Sequence, residues 1–363
     1  MQFLLLFVVT LLSFANGAND NFKGVATLWG AGRTSYWRAL CWATAFTFLG
    51  SLAAIGTASV LVSKFNGSIF VGAEIFAQLP FLVSVALGGA VTVLLASWLG
   101  LPISTTHALT GALAGASVTS AGFASVQFAA LGSGVVLPLL FSPFVAMWLT
   151  LGAYPLAVRL ARSRDCVCVE ESRAITLVPD GAATMESIRA APVLKVASAS
   201  ECNTGAEVLR GSLTDILHWI SAAGISFARG LNDTPKIAAV LLVAASTAVK
   251  LDFVLVAVAM AMGGMFGAAR VAQTLSKQIT PMAMEEAVGA NLVAASLVTL
   301  ASFFALPVST THVTSGSIFA IGWRRRHEAD WKRVRDILLS WVGTLPLGAA
   351  LGGGLYLLPA RLR

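Results

Sequence analysis

Ser13-Phe-Ala-Asn-Gly-Ala-Asn-Asp-Asn-Phe-Lys23 is a polar interruption in an apolar chain, and it occurs twice. The second copy, Ser226-Phe-Ala-Arg-Gly-Leu-Asn-Asp-Thr-Pro-Lys236, lies at a constant offset of 213 residues. Asn19, Asp20 and Lys23 therefore answer to Asn232, Asp233 and Lys236. An acid inside an apolar segment is costly to bury and usually marks a functional position. A second pair follows: Leu101-Pro-Ile-Ser-Thr-Thr-His107 and Leu306-Pro-Val-Ser-Thr-Thr-His312. The four segments make a two-fold repeat, and the rest of the chain reads as the lipid-soluble frame around them.

Composition fixes that frame. The chain is 57% hydrophobic and only 11% charged, against about 25% charged residues in ordinary soluble domains. Apolar runs such as Ala39–Val62, Phe76–Leu99 and Ile337–Leu358 are long enough to cross a hydrocarbon core of about 30 Å. The expected class is all-α and polytopic, an integral multi-pass protein of the plasma (inner) membrane with roughly 10–12 membrane segments, some of them discontinuous or re-entrant. The net charge of +7 does not point to nucleic acid, because the basic residues collect in connecting loops. Met1–Phe14 lacks the basic start of a signal peptide and matches a mid-chain segment, so it is read as a retained half-helix. Cys41, Cys166, Cys168 and Cys202 are read as free thiols. No metal site or cofactor is expected.

Three regions follow: a membrane repeat over 1–158, a charged cytoplasmic loop over 159–215, and a second membrane repeat over 216–363. Residues 159–215 hold 15 charged side chains, with no surviving apolar period, and read as a soluble, weakly ordered loop. In the first repeat, breaks are expected at Gly17–Asp20 and at Pro102, and Phe128–Leu160 suits one tilted span or a tight helical pair around Pro138 and Pro143. In the second, Ile216–Gly230 and Ile237–Val249 are expected as two half-helices around Asn232–Lys236. Phe253–Leu275 and Ala287–Ala305 read as spans, with Pro307 ending the latter.

Loop charge sets orientation. Thr119–Gln127 carries no charge, whereas its counterpart Trp323–Arg335 carries Arg324, Arg325, Arg326, Lys332, Arg333 and Arg335. If basic loops stay inside, the two halves enter the membrane in opposite senses. An inverted-topology repeat follows, an architecture that secondary transporters use.

The breaks have a chemistry of their own. A helix that begins within the membrane presents free N–H groups and the positive end of its dipole, which suits an anion. Ser104, Thr105 and Thr106, with Ser309, Thr310 and Thr311, add caps and hydroxyl donors, enough to wrap a tetrahedral oxyanion without arginine. Asn19, Asp20, Asn232 and Asp233 offer hard oxygens to Na⁺ or to protons. His107 and His312 read equally as structural or proton-handling. Arg229, whose counterpart is Asn16, reads first as an anchor at the membrane interface and second as an anion contact.

These paired Gly-x-Asn-Asp and Pro-x-Ser-Thr-Thr-His segments resemble the inorganic phosphate transporter family called PiT, including its phosphate/sulfate permease branch. The likeness runs through both halves, over Phe14–Gly122 and Phe227–Trp323. It implies a secondary active transporter that moves inorganic phosphate, or sulfate in some members, by alternating access with Na⁺ or H⁺. By motif, Asn19, Asp20, Asn232 and Asp233 would line the cation and substrate sites, and the two Ser-Thr-Thr runs would hold the anion. A homodimer stays open. The family pattern continues Gly-Ala-Asn-Asp-x-Ala-Asn-Ala, but here Lys23 and Lys236 replace the second asparagines. Each ammonium is expected to stand partly in a metal ion's place, paired with Asp20 or Asp233. An intramembrane aspartyl protease is the alternative from another class, but neither acid lies in a Gly-x-Gly-Asp setting.

Overall fold

The computed structural model describes residues 2–57, 71–161, 165–170, 173–175, 187–189, 193–198, 207–243, 249–304, 306 and 308–361. In the first half, α1 (Gln2–Asp20) leads through a 3-10 turn at Lys23–Val25 into the short α2 (Ala26–Gly30). Then come α3 (Tyr36–Ala53), α4 (Leu79–Leu99), α5 (Thr105–Ala121) and α6 (Leu137–Ala161). The second half has α7 (Leu213–Val243), α8 (Val249–Gly267), α9 (Ala269–Lys277), α10 (Met284–Phe303), α11 (Thr310–Arg324) and α12 (Trp331–Arg361). Seven segments among the described residues are long and apolar enough to cross a membrane. The protein is a multi-pass membrane protein whose membrane-crossing segments are all helical. Large apolar side chains such as Phe7, Trp98, Trp148 and Phe266 are exposed on these helices, where lipid rather than water would meet them.

The halves interlock by exchange. Helix α1 packs on α8 of the second half, and its counterpart α7 packs on α3 of the first. Likewise α5 packs on α12, and α11 on α6. Small residues let these backbones close up. A Cβ on Gly17 would meet the Met260 carbonyl, and one on Gly230 would meet that of Thr47. One on Gly263 would meet the Phe14 carbonyl, and one on Gly50 that of Phe227. Each of these contacts recurs in the other half at the 213-residue offset, so the sequence repeat is also a repeat of packing.

Several expectations are corrected. Helix α1 runs unbroken through Gly17 to Asp20, and α7 runs unbroken through Asn232 and Pro235. The chain therefore turns only in the copy that lacks proline. The cause is Phe22, the counterpart of Pro235. It is fully buried, stacks on Tyr36 at 5.1 Å between centroids and meets the edge of Trp29 at 5.5 Å. That anchor turns the chain at Asn21-Phe22, whereas a lone missing N–H at Pro235 is absorbed within a packed helix. The expected span Phe253–Leu275 divides at Ala268 into α8 and α9. Helix α9 buries Val271, Ala272 and Leu275 but carries Arg270 and Lys277, too polar a face for the bilayer core. Of the two readings of Phe128–Leu160 the single span holds: Pro143 lies inside α6, and 128–159 make one continuous segment. Pro307 and residues 58–70 lie outside the described residues.

Residues 159–215 differ most from the expected loop. The described part holds five strands: β1 (Asp165–Glu170), β2 (Arg173–Ile175), β3 (Ser187–Arg189), β4 (Val193–Ser198) and β5 (Glu207–Ser212). They form an antiparallel sheet in the order β4-β1-β5 and a two-stranded β2-β3 pair. The short β-branched runs Val167-x-Val169 and Val193-x-x-Val196 are strand-like, but charges scattered between them hide the alternation. The charged segment between the two halves of the chain is thus folded in part as β-structure.

Candidate functional site

The two Ser-Thr-Thr segments start helices α5 and α11 in the same way. Ser104 and Ser309 are extended N-cap residues whose hydroxyls accept from the backbone N–H of His107 and His312, each at 3.2 Å. The preceding helix α4 ends on Gly100 in the left-handed region (φ 72°), which frees the chain to reverse before Pro102. Both helix starts are buried.

The starts meet the Asn-Asp segments through a crossed set of bonds. Lys23 Nζ ion-pairs with Asp20 Oδ1 of its own half. It also donates to Asn19 Oδ1 (3.1 Å), to the Ile103 carbonyl (3.0 Å) and to Thr311 Oγ1 of the other half (2.5 Å). Lys236 Nζ pairs with Asp233 Oδ1 at 3.5 Å and donates to the Val308 carbonyl (3.0 Å) and to Thr106 Oγ1 (3.3 Å). Ile103 and Val308 are counterparts, as are Thr106 and Thr311. Each lysine therefore binds its own half's acid and the opposite half's last Ser-Thr-Thr hydroxyl. The middle hydroxyls stay at home: Thr105 Oγ1 donates to Asp20 (3.2 Å) and Thr310 Oγ1 to Asp233 (3.5 Å). Asn19 accepts from the Ile103 N–H (3.0 Å) and donates to Ser97, and Asn232 donates to Val308.

Two pairs of counterparts touch each other across the seam between the halves. The rings of His107 and His312 lie 4.6 Å apart, and His312 stacks further on Trp341 at 4.0 Å. His312 Nδ1 is 2.9 Å from the Leu139 carbonyl. The second pair is Asn16 and Arg229: Arg229 Nη2 donates to Asn16 Oδ1 at 2.6 Å. Arg229 is only 1% exposed. It is not an interface anchor, because its guanidinium lies in the polar centre, 3.7 Å from Asp233, with Asn21 at 3.1 Å and Thr47 at 3.4 Å. Asn16 in turn donates to Asp20 (2.9 Å), Thr105 (3.0 Å) and Asp233 (3.5 Å), so one amide reaches both carboxylates. The motif pattern alone passes over Asn16, although its 213-residue offset from an arginine was visible.

All twelve residues singled out by motif are buried and converge here: Asn19, Asp20, Lys23, Ser104, Thr105 and Thr106 from one half, and Asn232, Asp233, Lys236, Ser309, Thr310 and Thr311 from the other. A cavity of about 70 Å³ opens beside Thr106 and Lys236, between Val85, Thr110, Leu131 and Val240, room for several waters. Among the described residues, this seam holds three cations (Lys23, Lys236, Arg229) and two acids (Asp20, Asp233). Hydroxyls, amides and an excess of one positive charge in a place shielded from water form a setting for a small oxyanion.

The profile of the phosphate transporter family matches residues 16–352, nearly the whole chain. The chain belongs to the phosphate transporter family. It is a transporter and not an enzyme, which disposes of the protease alternative. It is 24% identical to a Bacillus subtilis protein named as a probable low-affinity inorganic phosphate transporter, covering 98% of this chain and 96% of that one. A Rhizobium meliloti protein of the same description is 26% identical, over 97% and 94% of the two chains. Among solved structures, one titled as the sodium-dependent phosphate transporter superposes with a TM-score of 0.74 and 18% identity, covering 100% of this chain and 99% of its own. That likeness is one of fold.

Proposed function

We propose that this chain carries inorganic phosphate across the membrane, driven by protons, with the two halves rocking about one shared site. The observation that carries the reading is the crossed bonding. Because Lys23 binds Thr311 and Lys236 binds Thr106, neither half owns a complete pocket. A substrate there touches both halves at once, which is what alternating access about a midplane site requires. The relatives' names support phosphate. The site chemistry supports it as well, since a protonated phosphate can donate to Asp20 or Asp233 while its other oxygens accept from hydroxyls and ammonium groups. Sulfate carries no proton at neutral pH and gains nothing from the acids.

The coupling ion follows from Lys23. Its Nζ is ringed by Asp20 Oδ1, Asn19 Oδ1, the Ile103 carbonyl and Thr311 Oγ1, an all-oxygen set of the kind hard cations take. A tethered ammonium already fills that set, and Lys236 does the same opposite it. Sodium then has no vacant role, and coupling falls to protons carried on the anion or on the acids. Uptake of labelled phosphate by proteoliposomes, with pH gradient and sodium varied independently and sulfate as competitor, tests the reading. Uptake that follows the pH gradient in choline buffer is expected. A strict sodium requirement removes the coupling proposal, and stronger competition by sulfate than by unlabelled phosphate makes sulfate the substrate.

A further inference from the structure

Arg229 has no basic counterpart in the first copy of the repeat, yet it is the largest fully buried side chain among the described residues. Four of its five N–H groups donate to protein acceptors: Nη1 to Asn21 Oδ1 and Thr47 Oγ1, and Nη2 to the Asn16 carbonyl and Oδ1. All four acceptors belong to the first half of the chain, whereas Arg229 belongs to the second. Only Nε, 3.7 Å from Asp233 Oδ2, is left without a hydrogen bond.

Its position carries a second message. Asn16 is the counterpart of Arg229, and the two touch across the seam between the halves. Two arginines could not share that spot, since two guanidinium groups would face each other at hydrogen-bond distance without a counter-charge. One neutral and one charged residue is the arrangement that fits, so the repeat is broken here by geometry. Each lysine has its own acid at i−3. However the five charges are paired, one positive charge remains, and Arg229 is the residue that adds it.

We infer that Arg229 is the positioning and charge-setting residue of the oxyanion site. It acts by joining Asn16 to Asp233 across the seam and leaving it one positive charge in excess. The inference rests on the oxyanion reading of the site. It adds that anion affinity depends on the charge at that seam, and not on which half supplies it.

The test is titration of the purified, intact protein with inorganic phosphate by calorimetry, for the parent, Arg229→Gln, Arg229→Lys and the transposed double variant Asn16→Arg/Arg229→Asn. Circular dichroism and size-exclusion profiles accompany each. Arg229→Gln keeps amide donors without charge and is expected to raise Kd about 10- to 100-fold, the effect of a unit charge roughly 6–12 Å away at an effective dielectric of about 20. Arg229→Lys keeps the charge without the fork and is expected to stay within about tenfold of the parent. The transposed variant is expected to recover at least half of the affinity, on a logarithmic scale, that Arg229→Gln loses. Arg229→Gln binding like the parent overturns the inference. So does loss of folded protein in both Arg229→Gln and Arg229→Lys, which would make the guanidinium a structural clamp alone. A transposed variant that folds but binds no better than Arg229→Gln overturns it too; if that variant does not fold, the contrast between Gln and Lys decides. A parent that binds neither phosphate nor sulfate refutes the transport reading instead.

Discussion

Replacing Lys23 by methionine should be among the most damaging single changes in this protein, and its cost is open to measurement. Lys23 and Asp20 are 1% exposed and in direct contact. Removing one partner of a buried ion pair costs about 3–5 kcal/mol, because the other is left charged and unsolvated. Asp20 would keep hydrogen bonds from Asn16 at 2.9 Å and Thr105 at 3.2 Å, and the Arg229 guanidinium is held nearby by that same Asn16. The expected loss is therefore near the lower bound, about 3 kcal/mol. Lys236→Met should cost less, since its pair with Asp233 is longer at 3.5 Å and Asp233 also has Arg229 at 3.7 Å. Asp20→Asn in the Lys23→Met background removes the orphaned charge and should restore much of the loss. Reversible unfolding in mixed detergent micelles gives all four corners of the cycle. A coupling of about 2–3 kcal/mol between positions 20 and 23 is expected. Additive single effects, or a Lys23→Met variant as stable as the parent, would refute the buried pair.

Other expectations follow from the same geometry. Ser104→Ala and Ser309→Ala remove caps of equal length, so each should cost about 1 kcal/mol in the same micelle assay, and unequal costs would mean that the two helix starts differ. Alanine at Gly50 or Gly263 drives a methyl into the carbonyl of Phe227 or Phe14, and each should cost about 1–3 kcal/mol. Gly354→Ala, which meets nothing within 4 Å, is the control and should be near neutral by thermal unfolding. Lys23→Asn empties the oxygen ring around Nζ, so uptake by proteoliposomes carrying that variant should gain stimulation by sodium that the parent lacks.

Much of this arrangement could be read from the residues. The duplicated Gly-x-Asn-Asp and Pro-x-Ser-Thr-Thr-His runs located both helix starts and both acids, since a polar cluster stands out against an apolar chain. What the pattern did not carry was connection across the repeat. Nothing in the spacing of Lys23 reveals that its ammonium crosses to Thr311, because the crossing arises from the exchange of α1 and α7 between the halves. The place of Arg229 escapes the sequence for a related reason: a single basic residue near a helix end usually belongs to the interface, and only its contacts with Asn16 and Asp233 show that it lies in the buried centre. The bend in the first half falls at Phe22 and its aromatic neighbours, beyond the Gly17–Asp20 run that the motif marks. The sheet of 165–212 was hidden by charges interleaved among short β-branched runs.

The central claim is that the two halves build one anion site between them. Calorimetric titration of phosphate into the parent, Thr106→Val and Thr311→Val tests it most directly. The account predicts one phosphate bound per chain, with affinity lost when either half's hydroxyl is removed. Two phosphates per chain, or a site that survives intact in both variants, would contradict it.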